Sequence, residues 1–203
     1  YSDKLEISGL RLLVLLSITL LNNKRNFLRY NEWRKQLFIR NSPKDANTIL
    51  YLLPWLLSVN HRSVPGYIKG QKHPFKVFDI ENNRQIVLRE GQYKRMLGMA
   101  DERFSVRRIP GDSYIQGIYT IGSIGTISQT KQSDCDIWIC IDRRQFNDEI
   151  YYQLNQKLNL IKGWLDEQIK IPVYFFLTDV TDIRECNFGA IDLESSGSTQ
   201  KNV

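Results

Sequence analysis

The chain has 203 residues, of which 42% are hydrophobic and 25% are charged, and its formal net charge is +6. This is enough chain for one domain, and the composition excludes a disordered or fibrous protein. The most apolar stretch, residues 10–21, contains Arg11 and is shorter than the roughly 20 residues that cross a bilayer. We therefore expect a buried helix there and no membrane span.

The charges are distributed unevenly. Residues 1–133 carry 21 Lys and Arg against 10 Asp and Glu, whereas residues 134–203 carry 7 against 12. A basic part beside an acidic part suits a polyanionic substrate, but it suits nucleic acid equally well. The three cysteines, Cys135, Cys140 and Cys186, are odd in number and lack metal-ligand spacing. With no signal peptide in view, they predict reduced core residues of a cytoplasmic protein.

The first 58 residues are predicted to be mainly helical. The expected helices are residues 5–22, 30–38 and 46–58, which carry apolar residues at helical spacing. Asn22 and Asn23 are expected to end the first, Ser42 and Pro43 to begin the third, and Pro54 to kink or interrupt it. Alternation over residues 75–88 predicts a hairpin, and residues 90–103 a further helix.

The clearest pattern lies in the second half of the chain. An apolar strand over residues 117–121 ends in Gly122-Ser123, and a polar loop leads to a second strand over residues 136–142. A helix with apolar residues three and four apart follows over residues 150–169, then a strand over residues 173–177. A helix between strands predicts a layered α/β (α+β) arrangement with a mixed sheet covered on one face.

Asp134 and Asp136 stand at the start of the second strand. Because side chains alternate along a strand, the two carboxylates should project to the same side, about 7 Å apart. Their mutual repulsion would be relieved by a divalent cation, and the Gly122-Ser123 turn offers backbone amides and a hydroxyl to a phosphate. Taken alone, Gly-Ser is an ordinary turn and Asp-x-Asp an ordinary solvated strand start. Together at this interval they indicate a metal ion bridging carboxylates to a phosphate chain.

This spacing resembles the signature of the DNA polymerase β-type nucleotidyltransferases. Further blocks resemble, in order, the class I adenylate cyclases of bacteria over about residues 50–200. The blocks are Leu53-Pro54, Val64–Tyr67, Gly117–Ser123, Gln132–Trp138, Phe175–Asp179 and Gly197–Gln200. The resemblance implies a nucleotidyltransferase core at residues 91–203, preceded by a helical region at residues 1–90. It also implies that the chain is a fragment of a longer protein.

The resemblance further implies conversion of ATP to cyclic AMP and pyrophosphate with Mg²⁺ or Mn²⁺. Asp134 and Asp136 would be the metal ligands, with Asp179 as a third carboxylate and Asp182 as the substitute. Nucleotide contacts are expected from Gly122, Ser123, Lys131, Ser133 and Ser198. We expect no nucleic-acid partner, and regulatory regions or proteins outside this chain.

Two other functions fit the same residues. One is a nucleotidyltransferase that modifies a small molecule, protein or RNA. The other is a nonenzymatic nucleotide-binding module that keeps the fold without turnover.

Overall fold

A computed structural model describes residues 2–71 and 74–185 of the chain. The helices are α1 (Ser2–Asn41), α2 (Pro43–Asn47), α3 (Leu53–Ser58), α4 (Arg84–Met96), α5 (Asp148–Gln168) and α6 (Val180–Arg184). The strands are β1 (Ile115–Ile121), β2 (Cys135–Ile141) and β3 (Val173–Asp179). The chain is thus α+β, with its helices concentrated in the first half.

The N-terminal segment is one helix of 40 residues rather than two. The predicted stop at Asn22-Asn23 is wrong, because asparagine lowers helix propensity by only a fraction of a kcal/mol. The expected burial of this stretch is also wrong where its side chains are described, since Leu13, Leu16 and Leu20 are exposed, Leu20 to 68%. Among the described residues, no helix is both long and apolar enough to cross a membrane.

The third helical region begins with Pro43 in its first turn, as predicted, although the Ser42 side chain makes no capping hydrogen bond. Between α2 and α3 the turns widen into a π-helix over Thr48–Leu52, directly before Pro54 in the first turn of α3. Because proline lacks an amide proton, it is tolerated where a helix begins anew, which explains the interruption.

The predicted hairpin over residues 75–88 is absent from the described structure. Val77 instead forms a short parallel bridge to Ile115 at the start of β1, and the chain then turns away through Asp79, whose φ is +60°. Asn83 caps α4 by accepting a hydrogen bond from the Ile86 amide. The alternation at Ile86 and Leu88 therefore belongs to a helix that begins six residues earlier than predicted.

The three strands form one mixed sheet in the order β1-β2-β3. β1 and β2 run antiparallel, with Ile121 opposite Asp136, while β2 and β3 run parallel, with Asp136 opposite Tyr174. The end of β1 therefore lies beside the beginning of β2 and of β3.

Helix α5 covers one face of this sheet, as its apolar stripe predicts. Its residues Leu154, Leu158, Ile161 and Leu165 are buried in one cluster with alternate residues of β2. Those residues are Cys135, Ile137, Ile139 and Ile141. Asp136 and Trp138 consequently project from the opposite face of the sheet.

The same cluster also includes residues of the N-terminal half, among them Phe38 and Trp55. The predicted division between residues 90 and 91 falls inside α4. Cys135 and Cys140 are buried free thiols, as expected, whereas Cys186 lies outside the described residues. Lys157 of α5 is fully buried and donates to the carbonyls of Val59 and Gly66, at 2.8 and 3.1 Å.

Candidate nucleotide site

The pairing of β1 with β2 brings the two halves of the sequence motif together. Ile121, the last residue of β1, lies opposite Asp136, the second residue of β2. Gly122 and Ser123 follow Ile121 directly, and Asp134 precedes β2 by one residue. The Gly-Ser turn and the two aspartates therefore lie at the same end of the sheet.

The polar loop between these strands is closed by its own side chains. The hydroxyl oxygens of Ser123 and Ser133 are 2.8 Å apart, and Ser133 Oγ also accepts a hydrogen bond from the Thr130 amide. At the other side of the loop, the Thr126 hydroxyl donates to the Ser123 carbonyl at 2.7 Å. Two predicted site residues, Ser123 and Ser133, are thus in direct contact.

Helix α1 contacts this loop through Arg34. The Arg34 guanidinium donates to the carbonyl of Ile124 at 2.6 Å and to that of Gly122 at 3.3 Å. A Cβ atom built on Gly125 would lie 2.6 Å from the Arg34 carbonyl oxygen, and the φ of Gly125 is +71°. A glycine is therefore required where the loop meets the helix backbone.

The two aspartates differ in their surroundings. Asp134 is exposed and precedes the strand, whereas Asp136 is half-buried within it. Burial raises the pKa of Asp136, and the neighbouring Asp134 charge raises it further. A carboxylate pair in this state favours a cation between its members, because the cation removes both penalties.

The donor set fits Mg²⁺ or Mn²⁺, which prefer carboxylate oxygens. Among the described residues, neither aspartate forms a salt bridge with a basic side chain. Within those same residues, no group of three or more His, Cys, Asp and Glu is arranged to hold a metal ion. The pair therefore offers two carboxylates and no third protein ligand among the described residues.

Asp179, predicted as the third carboxylate, lies apart from this pair in the structure. It lies opposite Ile141, five residues along β2 from Asp136, which is about 17 Å at the rise of a strand. Its carboxylate accepts hydrogen bonds from the amides of Thr181 and Arg143, at 2.6 and 2.9 Å. Asp179 therefore caps α6, and Asp182 follows inside that helix.

The remaining predicted residues are placed as follows. Gly122 has a φ of +84°, and a Cβ atom there would meet nothing within 4 Å, so the turn is open on that side. Lys131 is exposed in the same loop. Ser198 lies outside the described residues.

Sequence reasoning missed Arg34, which lies 88 residues before Gly122. In the sequence it is one basic residue among several on a helix. The loop sequence contains Gly125, a residue type that permits a positive φ and a close backbone approach. A glycine alone does not reveal that the approach is to α1.

The chain is an α+β domain in which a Gly-Ser loop at the end of one strand lies beside two aspartates at the start of the next. The sequence profile of the adenylate cyclase NT domain family matches residues 19–203. The chain therefore belongs to this family, the N-terminal region of the bacterial class I adenylate cyclases.

Curated relatives agree with this assignment. The chain is 35% identical over 150 residues to an adenylate cyclase of Proteus mirabilis, covering 73% of this chain and 16% of the relative. It is 30% identical over 150 residues to that of Escherichia coli K12, covering 73% of this chain and 17% of the relative. It is 31% identical over 158 residues to that of Haemophilus influenzae, covering 75% of this chain and 18% of the relative. The aligned region is about a sixth of each relative's length. No solved structure matches the chain.

Proposed function

We propose that this chain provides the nucleotide-binding and catalytic surface of an adenylate cyclase, which converts ATP to 3′,5′-cyclic AMP and pyrophosphate. The observation that carries the proposal is the pairing of Ile121 with Asp136, because it puts a phosphate-binding turn beside two carboxylates. Membership of the family, and relatives named adenylate cyclase, support it. We also propose that the sheet and α5 form a nucleotidyltransferase-type core, and that the enzyme is cytoplasmic.

In this reaction the ribose 3′-oxygen attacks the α-phosphorus of the same ATP molecule. A bond forms between these two atoms, the bond from the α-phosphorus to the pyrophosphate oxygen breaks, and the hydroxyl proton is released. Since nucleophile and electrophile belong to one molecule, the protein has to hold the ribose over the α-phosphate, and the gain comes from proximity and orientation. A fixed triphosphate is the first requirement.

The Gly-Ser loop is the part of the chain that would bind the triphosphate. The Ser123 and Ser133 hydroxyls share one hydrogen bond, so the second hydroxyl proton and the Ser123 amide can donate to the β- and γ-phosphate oxygens. Lys131 in the same loop adds a mobile positive charge for the triphosphate. Binding there leaves the α-phosphate on the side of Asp134 and Asp136.

Asp134 and Asp136 would hold the divalent cation. When bound, Mg²⁺ or Mn²⁺ neutralises charge on the phosphates and lowers the pKa of the attacking hydroxyl. Burial and the Asp134 charge raise the pKa of Asp136, which supports a cation as the partner of this carboxylate. Both carboxylates must therefore be ionised for the site to form.

Product analysis tests the proposal. The purified chain is incubated with ATP and Mg²⁺ or Mn²⁺, and the products are separated by chromatography. We expect cyclic AMP from the wild type and a loss of at least about 100-fold in Asp134→Asn and in Asp136→Asn. Asp166→Asn is the matched control, since Asp166 forms only a surface ion pair with Lys162 on α5.

Three outcomes contradict the proposal. Cyclic AMP that persists in both site variants refutes the role of the acidic pair. Pyrophosphate that appears only when an acceptor molecule is added indicates nucleotidyl transfer instead. ATP binding with no product under any condition indicates a nonenzymatic binding module.

A further inference from the structure

The loop that we assign to the triphosphate is held from behind by a distant helix. One nitrogen of the Arg34 side chain, Nη2, donates to the carbonyls of both Gly122 and Ile124, at 3.3 and 2.6 Å. Arg34 is half-buried; its bond to the Ile124 carbonyl is partly buried, whereas its bond to the Gly122 carbonyl is exposed. A charged donor on two carbonyls of one tight turn fixes the direction of both peptide units.

The direction of those carbonyls determines where the amides point. A peptide unit is planar and trans, so its carbonyl and its amide proton point in opposite directions. The Gly122 carbonyl shares a peptide unit with the Ser123 amide, and it is directed at α1. The Ser123 amide is therefore directed away from α1, and among residues 2–71 and 74–185 it donates no hydrogen bond.

The neighbouring peptide unit is fixed at both of its ends. The Ile124 carbonyl accepts from Arg34, while the Gly125 amide donates to the Gln129 side chain at 3.0 Å. The Gln129 side-chain nitrogen Nε2 in turn donates to the hydroxyl of Ser42, the residue directly after α1, at 3.4 Å. The loop is thus attached to the end of α1 at two points, in addition to the close approach of Gly125.

We propose that Arg34 is a positioning residue of the nucleotide site, which orients the Ser123 amide toward the phosphates of the substrate. This inference rests on the proposed function, because it assumes that the Gly-Ser loop binds phosphate. Arg34 itself acts from the opposite side of the loop, through the backbone. Its charge adds to the attraction for a polyanion without direct contact.

Calorimetric titration with three probes tests the assignment: ATP, inorganic tripolyphosphate and adenosine. For Arg34→Ala we expect affinity for ATP and for tripolyphosphate to fall about tenfold, since a charged hydrogen bond is lost. Adenosine affinity should not change, because adenosine has no phosphate. The affinity of Arg34→Lys for ATP and tripolyphosphate should lie between those of the wild type and Arg34→Ala, because an ammonium group can reach one carbonyl but lacks the planar fork. Arg29→Ala, the same change at an exposed site on α1, is the matched control.

A purely structural role is separated by chemical rescue and by thermal unfolding. Methylguanidinium added to Arg34→Ala should restore tripolyphosphate binding, whereas methylammonium at the same concentration should restore less. If Arg34→Ala binds tripolyphosphate as tightly as the wild type does, the inference is wrong and the proposed function stands. If affinity for all three probes falls in step with the melting temperature, Arg34 only stabilises the fold. If the wild type binds neither ATP nor tripolyphosphate, the proposed function fails, and the inference with it.

Discussion

The Ser123 hydroxyl oxygen lies 2.8 Å from the Ser133 hydroxyl oxygen, so the first and last parts of the polar loop hold each other in place. Ser133 also accepts from the Thr130 amide, which ties the middle of the loop to the same point. A hydroxyl pair has one donor in the shared bond, so the second hydroxyl proton is available to a phosphate oxygen. The loop is closed and can still donate.

This contact predicts coupled effects of Ser123→Ala and Ser133→Ala. Each change alone should lower ATP affinity, and the double variant should lose less than the sum, with a coupling free energy of about 1 kcal/mol. Titration of the four proteins with ATP measures it. Ser128→Ala, in the same loop but exposed, should leave the affinity unchanged. Additive losses would show that the hydroxyls act independently.

The contact between Gly125 and α1 predicts a large cost for Gly125→Ala. The φ of Gly125 is +71°, and the added Cβ would lie 2.6 Å from the Arg34 carbonyl oxygen. Gly98 has nearly the same φ, +69°, but a Cβ atom there would meet nothing within 4 Å. We expect the free energy of unfolding to fall by about 1 kcal/mol in Gly98→Ala and by about 3 kcal/mol in Gly125→Ala. Urea unfolding measures both, and equal losses would contradict the close approach.

The position of Asp179 at the far end of β3 predicts that it stabilises the fold without contributing to nucleotide binding. Asp179→Ala removes the cap of α6 and should lower the free energy of unfolding by about 1 kcal/mol. Its ATP affinity should equal that of the wild type, in contrast to Asp136→Ala. A loss of ATP affinity in Asp179→Ala that matches the loss in Asp136→Ala would return Asp179 to the site.

Lys157 predicts a pH dependence of stability. Burial lowers its pKa from the ordinary 10.5 to about 7. Between these values the unfolded chain binds a proton that the folded chain does not, so this residue makes the free energy of unfolding rise with pH. The slope is at most about 1.4 kcal/mol per pH unit, and the contribution is constant below pH 7.

Comparison with Lys157→Met isolates this contribution, because other groups titrate alike in both proteins. Urea unfolding at several pH values between 6 and 10 should show the wild type gaining stability relative to the variant as pH rises. A difference that does not depend on pH would mean that Lys157 stays protonated in the folded chain. The neutral amine has two protons, which match the carbonyls of Val59 and Gly66.

The sequence predicted the elements whose patterns are local. The stripe from Ile150 to Ile169 has one interpretation, an amphipathic helix, and α5 confirms it. Strands β1 and β3 follow from short apolar runs, the first ended by Gly122 and the second preceded by Pro172. Because these signals depend only on neighbouring residues, they hold whatever the rest of the chain does.

The sequence-based predictions failed or were incomplete where contacts between distant parts of the chain determine the structure. Leu20 belongs to an apolar stretch that favours burial, yet in the described structure it is exposed. Asp179 ends β3, and the parallel pairing of β3 with β2 puts it at the other end of the sheet from Asp136. Arg34 contacts a loop 88 residues away, which no local pattern records.

Strand β1 runs opposite to β2 and β3, and this direction determines which end of the sheet carries the proposed site. In wholly parallel sheets, ligands collect where strands finish. Here β1 finishes where β2 starts, and β3 starts at the same end of the sheet, so the opening residues of β2 and β3 lie on the side of the Gly-Ser turn. Tyr174 is level with Asp136, so we expect its substitution to affect the proposed reaction more than substitutions at the far end of β3 do.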